Sequence, residues 1–119
     1  MSIYDDIFKQ VAREQGVPDS LLKIIAKHES SFRADAKGPD IVRKGKPIKN
    51  AYGIMQIHED NFDAYGVTDW KDVYQNITAG AKIIKEYKQR AGNWYDAVGW
   101  YNAGPTGWKR DNGKAAMAQ

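Results

Sequence analysis

Apolar residues in this chain return every three or four positions in three separate segments, and that spacing commits most of it to helices. Ile3, Ile7, Phe8 and Val11 form the first stripe, within a helix expected from Ser2 to Gln15. Ser2 is the expected N-cap, Asp5 and Asp6 suit the positive end of the helix dipole, and Gly16 is the stop. Pro18 and Asp19 open a second helix near Ser20, patterned by Leu21, Leu22, Ile24, Ile25 and Phe32. Asn76 is expected to cap a long third helix reaching Arg90, striped by Ile77, Ala81, Ile84 and Tyr87 or Lys88. Gly92 breaks it, and Asn93 caps a last helix over Trp94 to Asn102 that stops at Gly104-Pro105. A short helix is expected around Asn61 to Tyr65.

One stretch breaks the pattern. Between Asp35 and Asn50, Gly38, Pro39, Gly45 and Pro47 interrupt any helix, and Lys37, Arg43, Lys44, Lys46 and Lys49 crowd it with positive charge. It reads as a solvated loop or a small β-hairpin turning at Lys44-Gly45. The tail from Thr106 is polar. The expectation is a mainly α chain, one domain over residues 1–119, with a small hairpin within residues 36–50.

With 119 residues and no cysteine, the chain holds neither a disulfide nor a zinc-thiolate site nor a thiol nucleophile. His28-Glu29 is not a zinc motif, because Phe32 stands where a second histidine would have to be. His58 is the only other histidine, so no metal and no cofactor is expected. A net charge of +3 suits approach to an anionic surface such as a cell wall and does not demand nucleic acid. The lysines of the 35–50 stretch suit phosphate-bearing wall polymers. No apolar run approaches the ~20 residues of a membrane span, and the acidic start lacks a signal-peptide core.

Glu29 is the candidate for acid/base chemistry. Leu22, Ile25 or Ala26, and Glu29 share one helix face, so the acid ends an apolar stripe. A carboxylate stripped of water there is pushed toward its protonated form and can both give and take a proton near neutral pH. By position alone, a helix-end residue held in a structural ion pair is the favoured reading.

Four motifs then follow in order: Glu29-Ser30-Ser31-Phe32, Ala51-Tyr52-Gly53-Ile54-Met55-Gln56-Ile57, Asn76-Ile77-Thr78-Ala79-Gly80, and Trp100-Tyr101-Asn102-Ala103-Gly104. Together they resemble the lytic transglycosylase family, whose catalytic domain has a goose-type-lysozyme-like fold. The resemblance covers roughly Leu21 to Gly104 and implies a lysozyme-like domain acting on peptidoglycan glycan strands. It implies Glu29 as the catalytic acid/base and Ser30 as a residue that holds the substrate or the acid. It implies Gly53, Ile54, Met55 and Gln56 as lining the glycan groove. Tyr101 and Asn102 match the pair near the acid. The residue types suit these roles: glycine admits a close sugar ring, methionine offers soft apolar surface, glutamine both donates and accepts, and tyrosine stacks and hydrogen-bonds. The chain departs from the family pattern at Trp100, where a small residue is usual, and at Ile54, where leucine is commoner. The 37–50 stretch is longer than in compact members, and a polar tail with Trp108 stands in place of a further helix.

The implied reaction cleaves the β-1,4 bond after N-acetylmuramic acid and closes a 1,6-anhydro ring with one acid. A hydrolytic muramidase would instead need a second carboxylate from Asp35, Glu59, Asp60 or Asp63. A non-catalytic glycan-binding module of a phage tail or secretion machine is the third reading. The expected setting is a monomer acting in the periplasm, at the outer wall or in a phage virion, within a secretion, conjugation or phage assembly.

Overall fold

The computed structural model describes residues 2–38, 42–43, 45–47 and 50–103. The expectations for Lys44, for the Gly104-Pro105 stop and for the polar tail with Trp108 lie outside those residues. The described chain is mainly helical. It runs α1 (Asp5–Gln15), α2 (Asp19–Ser30), β1 (Val42–Arg43), β2 (Lys46–Pro47), β3 (Ala51–Tyr52), β4 (Ile57–His58), a 3-10 turn (Glu59–Asn61), α3 (Phe62–Tyr65), α4 (Val73–Ala91) and α5 (Trp94–Ala103). No helix among the described residues is long and apolar enough to cross a membrane. The chain divides into two compact units, Met1–Ala81 and Lys82–Gln119.

In the first unit α1 starts three residues later than the spacing predicts. The Ser2 hydroxyl accepts from the Tyr4 amide (3.1 Å), while the Ser2 amide donates to the Asp5 carboxylate (3.3 Å). Residues 2–4 therefore make a turn instead of a cap, and Ile3 is left 90% exposed, off the stripe. Gly16 ends the helix in the left-handed region (φ 69°), as its sequence position predicts. Phe8 and Val11 of α1 and Leu22, Ile25 and Ala26 of α2 are buried, each large side chain contributing about 1.5–3 kcal/mol. Ile24, expected in that set, points the other way and is 53% exposed.

The expected hairpin exists. β1 and β2 pair antiparallel, Val42 opposite Pro47 and Arg43 opposite Lys46, with Gly45 at φ 77° in the turn. A second hairpin pairs β3 with β4, Ala51 opposite His58 and Tyr52 opposite Ile57. Asn50, just before β3, is held by two bonds: its Nδ2 donates to the Gly38 carbonyl (2.7 Å) and its backbone amide to Glu59 Oε1 (3.1 Å).

α4 begins at Val73, not at Asn76. Asp72 is the N-terminal acceptor, its Oδ1 taking the Gln75 amide (2.9 Å). In the second unit, Asn93 caps α5 as expected, its Oδ1 taking the Asp96 amide (2.8 Å). Ile83, Ile84, Ala97 and Val98 are buried there, and Trp100 meets Tyr87 edge-on with ring centroids 5.7 Å apart.

Candidate active site

Glu29 is the penultimate residue of α2 and is half-buried. Among the described residues its carboxylate makes no hydrogen bond and no ion pair. Desolvation alone raises its pKa from 4.5 to about 7, so the group carries a proton for much of the time at neutral pH. The structural ion pair that could have explained this acid is absent among the described residues.

The helix stops abruptly behind it. Ser31 (φ 53°) and Phe32 (φ 64°) both take left-handed backbone, costly for residues that carry a Cβ. Phe32 is thereby turned out of the α2 stripe it was expected to continue, and its ring meets Phe8 of α1 edge-on at 6.1 Å. Three further contacts, all made by one hydroxyl, hold this end in place. The buried Ser30 hydroxyl shares its proton between the Ile54 carbonyl (2.7 Å) and the Ala26 carbonyl (3.1 Å) and accepts from the Arg33 amide (3.2 Å). The neighbour of the acid is thus bound to the 53–56 turn, which lies between β3 and β4.

That turn is built by backbone and by one distant side chain. The Gly53 amide donates to the Ala36 carbonyl (2.7 Å), and Gln56 closes the turn with its backbone amide on the Gly53 carbonyl (3.0 Å). Gln56 itself is left-handed (φ 51°), and its Nε2 donates back to Gly53 (3.0 Å) and Ala36 (3.2 Å). Asn76, fully buried in the first turn of α4, reaches across: Oδ1 accepts from the Met55 amide (2.8 Å), and Nδ2 donates to the carbonyls of Tyr52 (3.0 Å) and Trp70 (3.1 Å).

The expectations for individual residues divide accordingly. Glu29, Ser30, Gly53, Ile54, Met55 and Gln56 all belong to the first unit. Ile54 and Met55, expected to line a groove, have no exposed surface, so their side chains are core and only their backbone shapes the turn. Gly53 is buried, and its missing Cβ makes room for Asn76 rather than for a sugar ring. Ser30 is 6% exposed, and its hydroxyl is engaged by the Ile54 and Ala26 carbonyls and the Arg33 amide. Gln56 remains partly exposed. Tyr101 and Asn102 lie on α5, both partly exposed, and the Asn102 Oδ1 is enclosed without a donor among the described residues.

Ser30→Ala is expected to cost about 1–2 kcal/mol, because it strands the buried Ile54 carbonyl. Thermal melting checks this. A variant with unchanged melting and only a raised KM would return Ser30 to the substrate.

Asn76 was read from the sequence as a cap, and its actual role was missed. The signal was present: Asn76, Gly80 and Ile83 share one face of α4, and a polar residue on a buried face four positions before a glycine marks a close backbone approach. A Cβ on Gly80 would lie 2.7 Å from the Met55 methyl.

The family model described as Transglycosylase SLT domain matches residues 6–119. The chain belongs to the transglycosylase SLT family. Among relatives of this SLT chain, protein IpgF of Shigella flexneri is 30% identical over 105 residues, which cover 83% of the chain and 66% of that protein. A peptidoglycan-binding-like protein of Escherichia coli O157:H7 is 28% identical over 96 residues, 74% of the chain and 58% of that protein. The SLT chain therefore spans less than two thirds of the length of these relatives. The solved 70 kDa soluble lytic transglycosylase of Escherichia coli matches 97% of the chain with 18% of its own length, at TM-score 0.67 and 23% identity. Wild-type DslA matches 78% of the chain with 58% of its own length, at TM-score 0.51 and 19% identity. The fold is thus the lysozyme-like one of the soluble lytic transglycosylase, mainly α with a small hairpin as the sequence predicts, and with a second hairpin, β3–β4, that it does not.

Proposed function

We propose that this chain cleaves the β-1,4 bond between N-acetylmuramic acid and N-acetylglucosamine in peptidoglycan, with Glu29 as its one acid/base. The observation that carries the proposal is the state of that carboxyl group: half-buried, lacking a partner among the described residues, and poised to ionise near pH 7. Membership of the SLT family supports the substrate class, as does the peptidoglycan-binding-like name of one relative.

The chemistry follows from one group serving twice. Protonated Glu29 gives its proton to the glycosidic oxygen as the bond from that oxygen to C1 of the muramic acid breaks. The resulting carboxylate then takes the proton of the C6 hydroxyl of the same sugar, and O6 closes onto C1 to form the 1,6-anhydro ring. No water enters. An internal nucleophile already held beside C1 gains its advantage from proximity, so no second carboxylate is needed. Glu59, one candidate for that second acid, already accepts the Asn50 amide, and Asp35, Asp60 and Asp63 are exposed. Tyr101 and Asn102 are assigned to substrate binding on their motif match alone, and Gln56 on the match together with its partial exposure. The action belongs at the cell wall, in the periplasm or outside it, with a secretion, conjugation or phage machine as the setting.

Mass spectrometry of the products from purified peptidoglycan tests the proposal. Muropeptides ending in 1,6-anhydromuramic acid, lighter by one water than the reducing form, are expected. Reducing ends would mean hydrolysis and a second carboxylate, and the absence of products would mean a binding module.

A further inference from the structure

Beside the 53–56 turn, three aromatic side chains that the chemistry above does not use form one surface. Tyr52 and Trp70 stand 4.9 Å apart between ring centroids, tilted by 39°, and Phe62 lies 6.0 Å from Tyr52, tilted by 57°. All three are partly exposed, so the patch is not core. It is also held rigid. The Asn76 Nδ2 that fixes the turn donates to the backbone carbonyls of Tyr52 and Trp70 together, so the two residues carrying the ring pair are locked to each other and to the turn. A platform that is already ordered loses little entropy when a ligand settles on it.

Cations lie over two of these rings. Lys71 Nζ sits 5.3 Å from the Trp70 ring centre, and Lys37 Nζ 6.0 Å from that of Tyr52. Lys71 is exposed and forms no ion pair among the described residues. The two carboxylates flanking it are turned to backbone amides: Asp69 Oδ1 takes the Lys71 amide (3.1 Å) and Asp72 Oδ1 the Gln75 amide (2.9 Å). Partly exposed apolar rings with cations against them fit a ligand that has a flat apolar face and a carboxylate beside it. A pyranose ring of a glycan strand offers the first, and the stem peptide hanging from muramic acid offers the second.

We propose that Tyr52, Phe62 and Trp70 are a sugar-stacking ledge whose Lys71 takes a stem-peptide carboxylate, so that the chain prefers peptide-bearing glycan to bare glycan. This inference rests on the glycan-cleaving function proposed above.

Calorimetric titration on the Glu29→Gln background, where substrate is not consumed, tests it. The probes are a soluble peptidoglycan oligosaccharide carrying its stem peptides and the same oligosaccharide after amidase has removed them and the lactyl carboxylates this uncovers have been capped as methyl amides. Trp70→Leu is expected to weaken both about five- to tenfold, the range that loss of aromatic contact brings. Lys71→Gln is expected to weaken only the peptide-bearing probe, about threefold in low salt, with the difference vanishing at high salt. Should Trp70→Leu melt far below its parent, Lys71→Gln and Lys71→Glu carry the test, since an exposed lysine changes without disturbing the core. Equal binding of the peptide-bearing probe by Lys71→Glu and its parent would overturn the proposal. If the wild type cleaves glycan and the ledge variants bind normally, the ledge alone falls. If the Glu29→Gln parent binds neither probe and the wild type cleaves nothing, the function falls and the ledge with it.

Discussion

Glu29→Gln is expected to abolish release of soluble muropeptides while leaving a folded protein that is more stable than the wild type at alkaline pH. One general acid/base contributes about 10²–10⁴ in rate, and here a single group serves both proton transfers, so the loss should reach the upper end or beyond. The stability half of the result follows from the sign of the pKa shift. The Glu29 pKa in the folded chain, about 7, lies above its ordinary 4.5 because burial disfavours the charged form. Folding therefore favours the protonated acid. The stability this group allows is complete below pH 4.5 and is lost as pH rises through 7. The full gap corresponds to about 3 kcal/mol, and partial exposure of the carboxyl reduces it to about 1–2 kcal/mol. Glutamine carries no such charge. Unfolding in urea should find the two proteins equal at pH 4 and the variant ahead at pH 8, and the wild-type rate should fall on the alkaline side with an apparent pKa near 7. A variant less stable than wild type at pH 8 would mean that the carboxylate has a partner, and near-normal lysis would remove Glu29 from the chemistry.

Gly53→Ala should be the most damaging small change in the chain, costing about 3–5 kcal/mol, a loss large enough to unfold many domains of this size at 37 °C. A Cβ at this position would lie 2.1 Å from Asn76 Nδ2 and 2.7 Å from the Trp70 carbonyl oxygen, and the backbone there has φ +86°. Neither neighbour yields cheaply, because each is one end of the same part-buried hydrogen bond. Gly66→Ala is the control. Gly66 has a similar φ of +76° with nothing within 4 Å, so only the backbone penalty of about 1 kcal/mol applies. Chemical denaturation of the two variants separates the terms. A further check is coupling. Asn76→Ala removes one of the two clashes, so adding Gly53→Ala to it should cost less than in the wild type. Similar losses for Gly53→Ala and Gly66→Ala would mean that the turn can move away from α4.

The helices were legible because their apolar stripes are local. Phe8, Val11, Leu22, Ile25 and Ile84 are buried as the three-to-four spacing requires. Local signals also placed the β1–β2 turn at Gly45, the caps at Gly16 and Asn93, and Glu29 at the end of its stripe. What failed was whatever depended on contacts distant in sequence. The β3–β4 hairpin has two-residue strands, too short for alternation to register, and its turn is completed from α4, some 20 positions away. Asn76 looked like a cap because asparagine suits that position, and nothing local distinguishes a cap from a buried tether. Ile54, Met55 and Gly53 were assigned to a groove by their motif, whereas their surroundings put them in the core beneath it. Ser2 lost its cap role to a turn stabilised by Asp5, a competition between two equally local arrangements.

The reach of Asn76 has a consequence for how this region opens. Its three hydrogen bonds join the turn after β3, the loop at Trp70 and the first turn of α4, and none of the three can come loose while the other two remain satisfied by that side chain. Ser30 fastens the end of α2 to the same turn through Ile54. Fraying of α4 at its N-terminus, ordinarily a low-energy event confined to one helix end, is here bound into a single cooperative opening that also frees the segment beside Glu29. The acid is therefore held by a piece of structure that exists whole or not at all.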